Sequence, residues 1–232
     1  MKKWLLRMGL ALWLACSAVM FVHKWYEPHL PTLYRQVSPA VVWIGAVDDW
    51  SNEQKWQGTG FFVTPNLIAT AGHVVSDTES FEVMFSDGTR AKADFVHMES
   101  AGRCDVGFIQ LRSEHRKDRP YFDLDTKIEI GEDLIILGYP WGMNNGVALT
   151  QGILSLPDRS EPYFGIKLIM QTDVAAYPGN SGSPVVDMDG ECVGILIGGM
   201  RGCDNFSIVT PAQLVKFAMQ KALAEIGLRD AR

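Results

Sequence analysis

Residues 177–184 read Tyr177-Pro-Gly-Asn-Ser-Gly-Ser-Pro184, so a serine is framed by glycines and prolines. Gly179 and Gly182 permit a tight turn of the backbone and leave room beside Ser181. A hydroxyl displayed on such a turn, with neighbouring backbone N–H groups free to converge, has what a nucleophile and an oxyanion site require. The pattern becomes specific only if a histidine and an aspartate accompany it upstream.

Two upstream residues meet that requirement. The stretch Leu67-Ile-Ala-Thr-Ala-Gly-His-Val-Val75 carries His73 at the end of an apolar strand, directly after small residues. Asp105 stands just ahead of the apolar run 106–111, where a buried charge needs a partner such as an imidazole N–H. Taken singly, His73 is more often a structural histidine, and Asp105 a cap or turn former. The order His73, Asp105, Ser181 is that of chymotrypsin and differs from the orders in subtilisin and the α/β-hydrolases.

Short runs rich in β-branched and aromatic residues recur along the chain in two groups. Turn sequences such as Thr64-Pro-Asn66, Ser86-Asp-Gly88 and Asp189-Gly190 separate them. Regular spacing in two groups predicts an all-β fold of two sandwich or barrel units. The predicted strands are 41–44, 60–64, 67–70, 81–85 and 106–111 in the first group, and 134–137, 147–150, 166–171, 184–186, 192–197 and 206–209 in the second.

One long helical pattern follows the second group. It begins at Thr210-Pro211, where Thr210 can cap the helix and Pro211 suits its first turn, and Gly227 ends it. An apolar stripe predicts that this helix docks on the second unit, with a dimerisation or membrane role as the alternative. The stripe consists of Leu214, Phe217, Ala218, Leu223 and Ile226.

Several motifs together resemble the protease domain of the HtrA/Deg family, which belongs to the trypsin-like serine peptidases. They are Thr70-Ala-Gly-His-Val-Val75, Asp105-Val-Gly-Phe-Ile109, Gly138-Tyr-Pro140, Gln151-Gly-Ile153, and Gln171-Thr-Asp173 leading into Pro178-Gly-Asn-Ser-Gly182. The resemblance runs from about Val37 to the C-terminal helix. It implies two six-stranded antiparallel β-barrels with a catalytic triad in the cleft between them, and no cofactor or metal.

The resemblance also implies a role for each residue of the site. His73 would take the proton from Ser181, and Asp105 would orient His73. The N–H groups of Gly179 and Ser181 would hold the oxyanion.

The same alignment implies a primary specificity pocket with Ala175 at its floor and Ile197, Gly198 and Gly199 in its wall. An uncharged floor favours small or medium apolar side chains over lysine or arginine. Asp204 in the following loop is the alternative, since it could add a negative charge to the pocket.

Three features depart from the family pattern. Ser183 stands where the family usually has glycine, and we expect this small side chain to be tolerated. No PDZ domain is expected after the helix, and the loop between Trp50 and Gln57 is brief.

The N-terminus has the pattern of an export signal. Lys2, Lys3 and Arg7 precede an uncharged apolar run from Met8 to Val22. The interpretations are an uncleaved membrane anchor, with the rest of the chain facing the periplasm or exterior, and a cleaved signal that leaves a secreted or periplasmic protein. The predicted domains are a signal or anchor segment (1–26), a stiff linker (27–36), a first β-barrel (37–125), and a second β-barrel with the C-terminal helix (126–232).

Composition excludes some functions. The formal charge of −6 and the pI of about 5.4 provide no basic surface for nucleic acid. The sequence lacks the CxxC and His-x-x-x-His spacings that would indicate a structural zinc site. Outside the leader, Cys104, Cys192 and Cys203 allow at most one disulfide, and the pairing of Cys203 with either of the other two stays open.

The sequence thus predicts an exported serine endopeptidase that cleaves exposed or misfolded polypeptides through an acyl-enzyme. The alternative is a catalytically silent trypsin-like domain that binds peptides or proteins. A homo-oligomer is possible, because Tyr34 lies near where N-terminal aromatic contacts form in HtrA-like trimers.

Overall fold

The computed structural model describes residues 29–47, 54–100, 102, 104–112, 119–125, 127–142, 145–161, 166–200, 202–203 and 205–230. The predicted signal or anchor segment, with its apolar N-terminal helix, lies outside these residues. Within them, no helix combines the length and the hydropathy that a bilayer crossing needs.

Six antiparallel strands form the first closed barrel, in the order β1-β2-β3-β6-β5-β4. The barrel closes because β1 pairs with β4 as well as with β2. The strands are β1 (Val41–Val47), β2 (Gln54–Phe62), β3 (Leu67–Ala71), β4 (Ser80–Met84), β5 (Arg90–Glu99) and β6 (Val106–Leu111).

A second closed barrel has the order β10-β11-β12-β9-β8-β7, and the pairing of β10 with β7 closes it. This architecture confirms the predicted double barrel. The strands are β7 (Asp133–Gly138), β8 (Ala148–Glu161), β9 (Ile166–Thr172), β10 (Pro184–Val186), β11 (Cys192–Gly199) and β12 (Ser207–Pro211).

Strand β5 is the element that the sequence prediction missed. Its residues are largely charged or small, so the strand lacks the β-branched and aromatic enrichment by which the other strands were recognised. Alternation carries part of the signal instead, since Ala91 and Ala93 are buried while Arg90 and Lys92 are exposed; a register shift between Phe95 and His97 then interrupts the alternation.

Helix α1 (His29–Val37) replaces most of the predicted stiff linker, which is therefore wrong from His29 onward. Pro31 is tolerated because a first-turn residue needs no N–H for the helix. Leu33 and Val37 on one face are buried in the core. The Tyr34 hydroxyl donates to the carbonyl of Val147 at 2.8 Å, so the helix is tied to the second barrel.

The C-terminal helix, α2 (Ala212–Asp230), has different ends from those predicted. Thr210 and Pro211 belong to β12, and the Thr210 hydroxyl donates to the carbonyl of Cys104 instead of capping the helix. Gly227 lies within the helix, where a side chain would meet nothing within 4 Å. Val215, Ala218 and Ala222 are buried, and α2 packs against β5 of the first barrel as well as β11 of the second, whereas docking on the second unit was predicted. The predicted stripe was wrong at Phe217 and Leu223, which are exposed.

One hydrophobic core runs through both barrels, and it includes Phe61 and Phe108 of the first and Ile135 and Ile195 of the second. A smaller cluster fills the second barrel. No disulfide joins the cysteines of the described residues: Cys104 and Cys192 are buried and Cys203 is exposed.

Candidate active site

The pairing of β3 with β6 brings His73 and Asp105 together. Ala71 at the end of β3 lies opposite Val106 at the start of β6, and His73 and Asp105 are in the connections that extend beyond these two residues. His73 Nδ1 lies 2.7 Å from Asp105 Oδ2, and the backbone N–H of His73 donates to Asp105 Oδ1 at 2.8 Å. Asp105 is 4% exposed, so this buried carboxylate has a partner on each oxygen.

Backbone geometry fixes the Asp105 carboxylate. Asp105 has a φ of 53°, in the left-handed region that aspartate tolerates better than most residues. Its carbonyl accepts the N–H of Gly72 at 3.0 Å. A Cβ at Gly72 would lie 2.9 Å from Asp105 Oδ1, so only glycine permits this close approach.

Residues 177–183, here called the nucleophile turn, follow β9 and lead into β10. Pro178 and Gly179 are the central residues of a β-turn in which the Asn180 N–H donates to the Tyr177 carbonyl at 2.9 Å. Gly179 has a φ of 102°, which suits the third position of a type II turn. The framed serine is thus displayed on a turn, as its sequence predicted.

The carbonyls of residues 178–181 of the nucleophile turn are all held by hydrogen bonds. The donors are the Trp141 N–H to Pro178, the Thr59 hydroxyl to Gly179, the Ser183 N–H to Asn180 and the Thr59 N–H to Ser181.

The N–H groups of the turn divide into two sets. Those of Asn180, Gly182 and Ser183 donate to backbone carbonyls. Those of Tyr177, Gly179 and Ser181 have no acceptor in the part of the chain that the structure describes. The Gly179 and Ser181 N–H groups are the two that the family resemblance assigns to an oxyanion site.

The nucleophile turn packs against the end of β3. A Cβ at Gly182, whose φ is 88°, would lie 2.1 Å from the Thr59 carbonyl oxygen and 3.0 Å from the Ala71 nitrogen. The turn therefore lies beside the segment that carries His73. Among the described residues, no hydrogen bond joins the Ser181 hydroxyl to His73, whose side chain is 45% exposed.

Ser183 is completely buried, and Gly138 of β7 makes room for it. Ser183 Oγ lies only 2.2 Å from where a Cβ at Gly138 would be. This contact explains how the turn accepts a serine here. Its Oγ has no hydrogen-bond partner in the described chain, and neither has the nearby Asn180 Oδ1.

A cavity of about 600 Å³ opens beside Ser181. Ala175, Gly198 and Gly199, which the sequence assigned to the specificity pocket, are among the residues that line it. Ile197 does not line the cavity; its side chain packs in the core because successive residues of a strand face opposite sides. Leu196 lines the cavity in its stead.

Sequence reasoning missed much of the cavity wall, because these residues come from two separate segments, 176–178 and 200–207, whose approach to each other the sequence does not reveal. They are Ala176, Tyr177, Pro178, Met200, Cys203, Asn205, Phe206 and Ser207. None of the described lining residues is charged. Asp204, the predicted alternative source of negative charge, lies outside the described residues.

Hydroxyl groups bond the backbone carbonyls next to the cavity. The Ser207 hydroxyl donates to the Val174 carbonyl at 2.7 Å, and the Thr150 hydroxyl donates to the Ala175 carbonyl at 2.9 Å. Ala175 lines the cavity, and its side chain is small and apolar.

An acidic cluster lies at the turn between β10 and β11. Carboxylate oxygens of Asp125, Asp187 and Glu191 lie within 4.8 Å of one another. Burial raises the pKa of Asp187, and burial together with neighbouring carboxylates raises the pKa of Glu191. Asp187 Oδ1 already accepts the N–H groups of Asp189 and Glu191, each at 2.9 Å, so it closes the turn.

Comparison with known proteins agrees with this geometry. The family model of the trypsin-like peptidase domain matches residues 58–195. A protein of Rhizobium meliloti (strain 1021) named "Probable periplasmic serine endoprotease DegP-like" is 36% identical over 143 residues, which are 60% of this chain and 27% of that protein. A protein of the same name from Bartonella henselae is 30% identical over 175 residues, 74% of this chain and 34% of that protein.

Solved structures share the fold. The serine endoprotease from Yersinia pestis superposes with a TM-score of 0.69 at 23% identity, over 83% of this chain and 66% of that chain. The HtrA-type protease AlgW with a tripeptide gives a TM-score of 0.70 at 23% identity, over 81% of this chain and 61% of that chain. The chain spans about a third or less of the length of these two curated relatives.

Proposed function

Because the chain belongs to the trypsin-like peptidase family, we propose that it is a serine endopeptidase that cleaves polypeptides through an acyl-enzyme. The observation that carries this proposal is that the Gly179 and Ser181 N–H groups of the nucleophile turn have no acceptor in the described chain, beside the segment on which His73 is bonded to Asp105. Core packing does not require unbonded N–H groups beside a hydrogen-bonded histidine and aspartate, whereas acyl transfer requires both features.

The first half-reaction forms the acyl-enzyme. The Ser181 hydroxyl attacks the scissile carbonyl while His73 Nε2 takes its proton. The bond between His73 Nδ1 and Asp105 Oδ2 fixes the imidazole tautomer and stabilises the imidazolium. The oxyanion that develops on the substrate accepts from the Gly179 and Ser181 N–H groups. Collapse of this intermediate breaks the C–N bond, and His73 gives its proton to the leaving amine.

The second half-reaction repeats these roles with water. His73 removes a proton from water, which attacks the ester carbonyl of the acyl-enzyme, and the same two N–H groups hold the second oxyanion. Collapse releases the carboxylic acid product and returns the proton to Ser181. All of these steps use side chains and backbone of this chain alone.

The cavity supports a preference for small or medium apolar side chains before the cut. Its described lining is uncharged and its floor is Ala175. A lysine or arginine there would lose hydration without gaining a carboxylate partner among the described lining residues, which disfavours it.

The relatives' names support an exported protein that acts outside the cytoplasm. We place the chain in the periplasm or at the cell exterior, tethered by its apolar N-terminal segment, with exported or misfolded polypeptides as substrates. Assembly as a homo-oligomer is part of the same proposal.

A catalytically silent, peptide-binding domain is the second candidate function. It is favoured by the lack of a hydrogen bond between Ser181 and His73 in the described chain. Catalytic hydrogen bonds are often long before substrate binds, so this observation carries less weight than the open N–H groups.

Covalent labelling distinguishes the two candidates. We expect a fluorophosphonate probe to label the full-length wild-type protein on Ser181 and casein to be cleaved. Ser181→Ala removes both signals, and His73→Ala lowers turnover by about 10⁴-fold or more, because a triad acts as a unit. Wild type that stays unlabelled even with added unfolded peptide would sink the protease proposal.

Cleavage-site profiling tests the pocket. Digestion of a denatured protein mixture, followed by mass spectrometry, should show alanine, valine and similar side chains immediately before the cut. Ala175→Asp places a carboxylate on the floor and should move the preference toward lysine and arginine. Basic or acidic residues before the wild-type cut would contradict the assignment.

A further inference from the structure

Thr59 of β2 belongs to the first barrel, is completely buried, and contacts the nucleophile turn at two points. We propose that Thr59 is a positioning residue: its hydroxyl holds the turn so that the Gly179 and Ser181 N–H groups stay directed at the oxyanion. This inference rests on the proposed peptidase function.

Three hydrogen bonds join Thr59 to the nucleophile turn and to Tyr139. Its N–H donates to the Ser181 carbonyl at 2.9 Å, and its hydroxyl donates to the Gly179 carbonyl at 2.7 Å. The hydroxyl oxygen accepts the N–H of Tyr139, which follows β7, at 3.0 Å. One side chain therefore joins the first barrel, the nucleophile turn and a strand end of the second barrel.

Because each peptide group is planar, hydrogen bonds to the carbonyls of the turn also restrict the directions of its N–H groups. The Gly179 carbonyl belongs to the peptide plane before the Asn180–Ser181 peptide, and the Ser181 carbonyl belongs to the plane after it. The Ser183 N–H holds the middle plane, which carries the Ser181 N–H, through the Asn180 carbonyl, and fixing both flanking planes restricts that plane further. The first of them also fixes one side of Gly179, a residue that would otherwise have wide conformational freedom.

In the described chain, the Thr59 hydroxyl is the only donor bonded to the Gly179 carbonyl. Gly179 is buried, so its carbonyl cannot turn to water if the donor is lost. A carbonyl that swings to find another donor takes the attached peptide planes with it. Loss of alignment at one oxyanion donor typically lowers turnover by about 10²–10³-fold.

Thr59→Val tests the inference, because valine keeps the branched shape and removes the hydroxyl. We expect kcat of the full-length protein on a peptide substrate to fall by about 10²-fold. KM should stay within about threefold, since the cavity residues Ala175, Gly198 and Gly199 are untouched. The pH midpoint of kcat/KM should not move, because the contacts of His73 with Asp105 are unchanged.

Two further variants separate positioning from packing. Thr59→Ser keeps the hydroxyl and should retain kcat within about threefold of wild type. Thr172→Val is the matched control: Thr172 is equally buried, its hydroxyl donates to the Ile153 carbonyl at 2.7 Å, and it accepts the Val174 N–H at 3.2 Å. It should lose stability as Thr59→Val does, with a kcat loss at least tenfold smaller.

The outcomes are distinct. A folded Thr59→Val protein with kcat within threefold of wild type overturns the inference, and so does a Thr59→Ser protein as slow as Thr59→Val. If Thr59→Val does not fold, Thr59→Ala replaces it; failure of both to fold makes the role structural and also overturns the inference. If Ser181→Ala is as active as wild type, the proposed function itself fails, whatever Thr59 does.

Discussion

Asp105 illustrates how a single buried charge is made stable in this fold. Its two oxygens accept from the backbone N–H and the imidazole of His73, and its backbone is left-handed. The sequence indicated that an acid between Cys104 and an apolar run needed a partner. The backbone N–H of His73 could not be predicted as a second donor, because it depends on the turn that follows β3.

Cys192 makes the free energy of unfolding depend on pH in the alkaline range. Burial raises the pKa of its thiol from an ordinary 9.0 to about 12. Above about pH 9 the unfolded chain therefore binds fewer protons than the folded one, and the free energy of unfolding falls as pH rises. The contribution of the Cys192 thiol to stability is fully present below the pKa of about 9 that this thiol has in the unfolded chain, and it is lost progressively as the pH approaches 12.

We expect Cys192→Val to reduce this loss. Between pH 9 and 11, urea unfolding of wild type should lose about 2–3 kcal/mol more than unfolding of the variant. Burial also raises the pKa of Tyr139 to about 12, but Tyr139 is present in both proteins and cancels in the comparison. Cys203→Val, at an exposed thiol, is the control that should follow wild type. Parallel curves for wild type and Cys192→Val would refute the assignment.

Among the elements, helix α1 shows how tertiary contact decides a short helix. Nine residues containing a proline would be marginal as an isolated helix. Leu33 and Val37 bury one face in the shared core, and the Tyr34 hydroxyl bonds to the second barrel. The helix therefore exists because the barrels provide a surface for it.

Substitutions that shorten the buried side chains of α1 should lower the stability of the whole fold. Leu33 is 5% exposed, so Leu33→Ala should lower the free energy of unfolding by about 2–3 kcal/mol through lost burial and a cavity. Tyr34→Phe should lower it by about 1 kcal/mol. Thr32→Ala, at an exposed position of the same helix, should change it by less than about 0.5 kcal/mol. Chemical denaturation measures all three, and a neutral Leu33→Ala would show that α1 is not docked.

Strand β5 and helix α2 join through charged side chains. His97 Nδ1 lies 2.6 Å from Glu225 Oε1, and Lys221 contacts Glu99, which is 5% exposed. The apolar stripe predicted that α2 docks, and these ion pairs add contacts that β5 makes possible. Neither partner of these pairs stands out in the sequence, because β5 itself lacks the usual strand composition.

The candidate site lies where the two barrels meet, a boundary here called the seam. His73, Asp105 and Thr59 come from the first barrel, and the nucleophile turn and the cavity come from the second. The shared core and the bonds from Thr59 and Thr210 across the seam keep these parts in register. A change in the relative position of the barrels would therefore act directly on the site.

Residue types and their order were enough to predict two β units, three candidate catalytic residues and a glycine-framed turn, while the resemblance to the HtrA/Deg family implied that the units are six-stranded barrels. Such features are local: strand patterns, turn residues and a buried acid are visible within a few positions of the chain. The ends of α2, the inward turn of Ile197 and the hydrogen bonds of Thr59 depend on partners remote in sequence. Only the packing of one barrel against the other sets their distances and directions, so only the tertiary structure decided them.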